Sequence, residues 1–192
     1  RRPQAKTRVT TTTWRSTGDR ERSIATRIWR RIAGRFDETA SLRFKNQVIR
    51  LSQNQDGTTR HEVIVDEIPT AYYHAGGSIA FGPDGYLYVG VGDAILPQLA
   101  RAPRAPVGKL LRFTRDGGIP GDNPDANSPV YARGLRNTQA IAWLPDGSLL
   151  GTDHGPSGME QEAGRHGQDE LNLIRANADY GWPDVTGWDT AD

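Results

Sequence analysis

The hydrophobic positions of the chain fall into short runs that turn residues separate. The runs Ser78 to Phe81 and Tyr86 to Val91 flank a Gly-Pro-Asp-Gly segment. Because proline presets φ at the second turn position and Asp-Gly accepts a positive φ, this stretch predicts a two-stranded hairpin. The same pattern predicts further strands at Val48 to Leu51, His61 to Val65, Lys109 to Phe113 and Val130 to Arg133. An all-β fold follows from these short strands.

The hairpin recurs 62 residues further along the chain, where Pro145-Asp146-Gly147 repeats Pro83-Asp84-Gly85. With the same shift, Ile141-Ala142-Trp143 matches Ile79-Ala80-Phe81, and a third start follows at Leu171. Repeats of strands and turns at a fixed period predict the blades of a β-propeller. Since a blade takes about 40 to 50 residues, residues 46–192 supply about three blades joined by long loops. Long loops often carry function.

One end of the first hairpin collects chemically active side chains. His74 stands just before the first strand and Asp93 just after the second, and the repeat lays Arg136 on His74, next to Asn137. Equivalent positions of successive propeller blades converge on the central channel, so these residues predict a shared site. Taken singly, each also has an ordinary interpretation: His74 as a capping or exposed group, and Asp93 as a turn former.

Composition narrows the possible functions. The 192 residues fit one domain or two, and no cysteine is present, which excludes disulfides, cysteine nucleophiles and thiolate metal sites. No apolar run reaches about 18 residues, so no membrane span is expected. We find no signal peptide at the start, where residue 1 is Arg rather than Met.

Charge divides the chain unevenly. Residues 1–45 carry 13 Lys/Arg against 4 Asp/Glu, whereas residues 46–192 carry 11 against 19. One interpretation of the basic segment, with Ile24, Ile28, Ile32 and Phe36 at helical spacing, is an arm for nucleic acid or an anionic membrane surface. The other is a poorly ordered or foreign leader outside the repeat. The lack of a nucleic-acid motif favours the leader, so nucleic acid is not an expected partner.

Five motifs stand in a fixed order between about residues 46 and 187. They are H-A-G-G-S-I-A-F-G-P-D-G-Y-L-Y-V-G-V-G-D, G-K-L-L-R-F-T-R-D-G-G-I-P-G-D-N-P, G-L-R-N-T-Q-A, D-H-G-P and D-E-L-N-L-I-R-A-N-A-D-Y-G-W-P. In these motifs the chain resembles the soluble glucose/sorbosone dehydrogenases, which are aldose sugar dehydrogenases dependent on pyrroloquinoline quinone (PQQ). The resemblance implies a six-bladed propeller, an aldose substrate, an external electron acceptor and a periplasmic or secreted location.

The resemblance also implies roles for four side chains. His74 corresponds to the general base, which takes the proton of the anomeric hydroxyl as hydride moves to the quinone. Asp93 corresponds to the carboxylate that orients this histidine. Arg136 and Asn137 correspond to the pair that binds the quinone oxygens and stabilises the charge developing there.

Calcium is implied in the same way, at two places. Gly155 and Pro156 correspond to residues whose backbone carbonyls hold the calcium of the cofactor, and carbonyl oxygens suit this hard cation. Glu170 and Tyr180 resemble the ligands of a second, structural calcium, the tyrosine through its main-chain oxygen.

Four departures from the family pattern leave an alternative open. Thr138-Gln139-Ala140 replaces the usual Pro-Gln-Gly, and the loop from Ser157 to Gln168 is longer than in compact members. The basic leader replaces the first-blade sequence, and the family's downstream lysine and arginines are absent. The alternative to a sugar dehydrogenase is therefore a catalytically incomplete propeller fragment, or a relative that binds sugar or calcium without turnover.

Overall fold

The computed structural model of the chain describes residues 8–11, 44–158, 162 and 164–187. These residues form a short 3-10 helix at Pro97–Leu99 and ten β-strands. The strands are β1 (Arg8–Thr11), β2 (Phe44–Gln53), β3 (Thr59–Thr70), β4 (Ile79–Phe81), β5 (Leu87–Val91), β6 (Lys109–Phe113), β7 (Val130–Arg133), β8 (Thr138–Trp143), β9 (Leu149–Asp153) and β10 (Glu170–Ile174).

The strands are grouped into three antiparallel sheets, which confirms the prediction of an all-β fold with about three blades. The first sheet has the order β1-β2-β3, the second β4-β5-β6-β7 and the third β8-β9-β10. The hairpin β4–β5 and its repeat β8–β9 each open a sheet, and β6 and β10 pair with them in the same position. The repeat in the sequence is therefore a repeat of sheets.

The two Pro-Asp-Gly turns have the same structure. In the first, the Gly85 amide donates to the Gly82 carbonyl at 2.9 Å, and in the second the Gly147 amide donates to the Leu144 carbonyl at 2.9 Å. Gly85 and Gly147 have φ values of 78° and 85°, a region that side chains other than glycine rarely occupy. In both turns the aspartate side chain accepts the backbone amide two residues further on, Asp84 Oδ1 from Tyr86 at 3.1 Å and Asp146 Oδ1 from Ser148 at 2.9 Å.

Apolar side chains fill the spaces between neighbouring sheets. One core joins the first and second sheets and contains Val48, Val65, Ile68, Leu87, Val89, Val91, Leu111 and Phe113. A second core joins the second and third sheets and contains Tyr88, Leu110, Ala132, Leu135, Leu149 and Ile174. Each fully buried side chain of this size contributes about 1.5–3 kcal/mol. Burial between sheets therefore fixes the order of the three blades.

Two sequence predictions need correction in extent. β3 runs to Thr70 rather than ending at Val65, because irregular pairing with β2 lets the strand continue. β2 likewise spans Phe44–Gln53 rather than Val48 to Leu51. The loop after β5 contains the 3-10 helix and builds a small core from Ala94, Leu99, Ala105 and Val107.

A small part of the basic leader joins the first sheet. β1 pairs antiparallel with β2, with Thr10 opposite Ile49. Ile24, Ile28, Ile32 and Phe36 lie outside the described residues, and the separate status of residues 1–45 stays a prediction. Within the described part of the chain, no helix has the length and hydropathy that crossing a bilayer requires.

Candidate active site

The end of the first hairpin forms a buried histidine–aspartate pair. His74 Nδ1 lies 2.7 Å from Asp93 Oδ1, and the two side chains are 7% and 1% exposed. The backbone brings them together, because the His74 segment crosses directly over the end of β5. A Cβ atom on Gly92 would stand 1.8 Å from the His74 carbonyl oxygen. Only glycine therefore fits at this crossing.

Two further donors hold the Asp93 carboxylate. The Ile95 amide donates to Oδ1 at 3.0 Å, and the Trp182 indole nitrogen donates to Oδ2 at 2.8 Å. Trp182 is buried and arrives from the far end of the described chain. With both oxygens engaged, the carboxylate is fixed in the orientation in which it meets the histidine.

Arg136 approaches the histidine from the opposite side. Its Nη2 atom lies 2.7 Å from His74 Nε2. Because a guanidinium only donates hydrogen bonds, His74 Nε2 must accept this one. The proton of a neutral imidazole then sits on Nδ1 and is donated to Asp93. The arrangement therefore selects the tautomer whose lone pair is on Nε2.

The rest of the Arg136 guanidinium is also engaged. Nη1 donates to the His154 carbonyl at 2.7 Å, and Nη2 reaches Ser157 Oγ at 3.1 Å. Nε donates to Glu162 Oε1 at 2.5 Å. The guanidinium carbon lies 5.6 Å from the centre of the Trp182 ring, a cation–π distance. Arg136 is thus the centre of the site.

Asp153 fixes the backbone that carries this arginine. Its carboxylate accepts the amides of Arg136 and Asn137 at 2.7 and 2.8 Å and the Thr138 hydroxyl at 3.2 Å. Burial raises the pKa of Asp153 to about 6, although the two amide hydrogen bonds oppose this shift. Asn137 Oδ1 accepts the Gly76 amide at 3.0 Å, so the third sheet is also tied to the segment that follows His74.

The two carbonyls predicted to bind the calcium of the cofactor lie beside the Arg136 cluster. Gly155 O is 2.9 Å from His154 Nδ1, and Pro156 O accepts the Gly167 amide at 2.8 Å. Among the described residues, no three or more histidine, cysteine, aspartate or glutamate side chains gather as a metal site. Calcium ligation through these carbonyls stays a prediction.

The residues predicted to bind the second calcium have local partners. Glu170 accepts the Gly187 amide through Oε1 at 2.6 Å and the Asn172 amide group through Oε2 at 2.9 Å. The Tyr180 hydroxyl donates to the Leu173 carbonyl at 2.6 Å. These contacts stabilise β10 and the segment after it. The second calcium therefore also stays a prediction.

Sequence reasoning missed four members of the site: Asp153, Ser157, Glu162 and Trp182. Trp182 is 89 residues away from Asp93 along the chain, yet its indole nitrogen reaches the Asp93 carboxylate. Glu162 lies in the long loop, which has no counterpart in the repeat, so no pattern pointed to it. By contrast, the structure does bring His74, Asp93, Arg136 and Asn137 together as the repeat suggested, while their roles stay predictions.

Comparison of the sequence with known proteins finds a matching family model and similar curated proteins. The family model described as Glucose / Sorbosone dehydrogenase matches residues 32–190. Quinoprotein glucose dehydrogenase B of Acinetobacter calcoaceticus is 35% identical over 63% of this chain and 28% of its own length. Aldose sugar dehydrogenase YliI of Escherichia coli K12 is 31% identical over 71% of this chain and 37% of its own length.

A solved structure gives the same result. The PQQ-bound form of the aldose sugar dehydrogenase from Streptomyces coelicolor superposes with a TM-score of 0.67 at 31% identity, over 79% of this chain and 47% of that one. The chain thus spans about a third of the curated relatives and about half of the solved one. On the extent of the family match, the chain belongs to the glucose/sorbosone dehydrogenase family.

Proposed function

We propose that this chain serves the PQQ- and calcium-dependent oxidation of aldose sugars, with His74 as the general base. The observation that carries the proposal is the line of contacts from Asp93 through His74 to Arg136, each 2.7 Å long. In this line of contacts the Nε2 electron pair of His74 faces the positive charge of Arg136. An external electron acceptor and a periplasmic or secreted location belong to the same proposal, by analogy with the family.

The residues present fit a quinone in two respects. Arg136 has a cationic planar donor that suits an oxygen gaining negative charge. Asn137 uses Oδ1 for Gly76, so its amide nitrogen is the group with which it would bind a ligand. When bound, PQQ would supply the acceptor for the hydride of the sugar.

The base chemistry follows from the tautomer. Nε2 of His74 takes the proton of the anomeric hydroxyl, and the imidazolium that results is stabilised by Asp93 behind it. Arg136 must first turn Nη2 away from Nε2, because both groups cannot use the same electron pair. A positioned base of this kind accelerates proton removal by about 10²–10⁴.

The proposal includes two calcium ions. The carbonyls of Gly155 and Pro156 would hold the cofactor's calcium, since each keeps a second lone pair beside its internal hydrogen bond. Glu170 and the main-chain oxygen of Tyr180 would hold the second. Both Glu170 oxygens already accept hydrogen bonds, so a second calcium would have to replace one of these donors.

A second candidate function is ligand binding without turnover. It is favoured by the contact between Arg136 Nη2 and His74 Nε2, which occupies the electron pair that a base would use. If Arg136 keeps this contact, the site could bind PQQ, calcium or a sugar without removing the proton of the sugar hydroxyl.

The test combines spectroscopy with turnover. We expect PQQ added with calcium to change its absorption on binding, and an aldose then to reduce an artificial electron acceptor. His74→Ala should keep the absorption change and reduce turnover by at least about 10²-fold, whereas His61→Ala, at an exposed position, should leave both intact. Binding without turnover in the wild type would favour the second candidate. No absorption change at high protein concentration would overturn both PQQ-based readings.

A further inference from the structure

A carboxylate of the chain itself lies against the arginine that the proposed function assigns to the ligand. Glu162 Oε1 contacts both Nε and Nη2 of Arg136, the former at 2.5 Å. The same oxygen is 3.8 Å from His74 Nε2. Arg136 and Glu162 are 2% and 1% exposed. A negative charge therefore already sits at the point where arginine and base meet.

The long loop from Ser157 to Gln168 holds this carboxylate in place. The Ser157 amide donates to Glu162 Oε2 at 2.7 Å, and Arg165 Nε donates to the Glu162 carbonyl at 3.1 Å. An antiparallel bridge pairs Ser157 with His166 across the loop, and Arg165 lies over the Trp182 ring at 5.1 Å. The loop is thus attached to the site at both ends.

Such a contact restricts what can bind. A buried guanidinium stays charged and needs a counter-charge, because removing one partner of a buried pair leaves the other uncompensated. A neutral ligand cannot replace the Glu162 carboxylate, whereas a ligand with its own anionic oxygen can. The exchange would also remove the carboxylate oxygen that lies 3.8 Å from His74 Nε2.

We infer that Glu162 is the internal counter-ion of Arg136 and determines the specificity of the site, so that only acidic ligands displace it. For PQQ, which carries carboxylates, this inference rests on the proposed function. Glu162 acts on the ligand by occupying the position of its anionic group, and the reacting atoms need no contact with it.

The counter-ion can be tested without any cofactor. Phenylglyoxal modifies accessible arginines, and peptide mass spectrometry reports the rate at Arg136. We expect slow modification of Arg136 in the wild type. If Glu162 covers Arg136 about 90% of the time, the modification rate should rise about tenfold in Glu162→Gln. Asp116→Asn removes the same charge at a position whose side chain is 79% exposed, and it should keep the wild-type rate. If Glu162→Gln does not fold, Glu162→Ala is measured in the same way.

Titration with PQQ separates this inference from the proposed function. Release of the counter-ion should tighten PQQ binding in Glu162→Gln by about the same tenfold factor. Faster modification of Arg136 without PQQ binding in either protein would keep Glu162 as the counter-ion and overturn the quinone assignment. An unchanged modification rate in the folded variants would overturn the counter-ion, whatever PQQ does. If Asp116→Asn also bound PQQ more tightly, the change in affinity would reflect net charge alone. That result would overturn the role of Glu162 as the counter-ion.

Discussion

The two neighbours of His74 decide which nitrogen can act as a base. Asp93 accepts on the Nδ1 side and Arg136 donates on the Nε2 side, each at 2.7 Å. Spacing along the chain predicted that Asp93 would be near, because both residues end the same hairpin. The donor on the other side comes from the next blade, and its direction depends on how the two sheets pack.

Lys109 lies in an environment that is unusual for a lysine, a side chain that is seldom fully buried. Its ammonium group is fully buried and donates to the carbonyls of Leu99, Ala100 and Val107 at 3.0, 2.5 and 2.7 Å. It thereby fixes the loop that follows Asp93. Burial lowers the pKa of Lys109 to about 7 from 10.5.

This shift predicts how stability depends on pH. Between pH 7 and 10.5 the unfolded chain holds a proton on Lys109 that the folded chain has lost, so the free energy of unfolding rises with pH, by at most about 5 kcal/mol. Urea unfolding from pH 6 to 9 should show this rise in the wild type and a smaller one in Lys109→Met. Parallel curves for the two proteins would contradict the prediction.

At the scale of the element, the hairpin β4–β5 shows how a local pattern fixes a local structure. Proline, aspartate and glycine set the turn, and the strands begin within one residue of the positions predicted. The loop after β5 shows the opposite case. Its conformation depends on Lys109 and on a small apolar core, neither of which follows from the spacing of proline and alanine.

The crossing of the His74 segment over β5 gives a prediction for this element. Gly92→Ala would place a Cβ atom 1.8 Å from the His74 carbonyl oxygen. Because the two nearest atoms belong to the His74 backbone and cannot rotate away, we expect a loss of about 1–3 kcal/mol in the free energy of unfolding. Gly121→Ala is the matched control, since nothing lies within 4 Å of a Cβ there, and it should change little. Equal stability of the two variants would show that the crossing is looser than described.

At the scale of the whole molecule, the third sheet has an apolar face that stays exposed in the described part of the chain. Leu173 lies beside Leu150 and Ala142 across the third sheet, and Leu171 and Leu173 are 68% and 44% exposed. Among the described residues, β10 has no further strand at its outer edge. Exposed apolar edges of this kind promote pairing with another copy.

We therefore expect this chain to self-associate through the third sheet. Leu171→Lys combined with Leu173→Lys should shift sedimentation velocity profiles towards the monomer, because charged edge strands resist pairing. Gln53→Lys with Gln55→Lys adds the same charge at two exposed positions, at the end of β2 and in the turn that follows it, and should not shift the profiles. A monomeric wild type, or equal association of both double variants, would contradict this.

The sequence by itself determined the strands, the Pro-Asp-Gly turns, the repeat of blades and the approach of His74 to Asp93, because each depends on residues close in the chain or on a fixed period. Only the tertiary structure decided that Arg136 reaches His74 Nε2, that Trp182 holds Asp93 and that Glu162 neutralises the arginine. Those contacts join residues 62, 89 and 26 positions apart. Their geometry arises from the packing of neighbouring sheets and of one long loop, which no local pattern specifies.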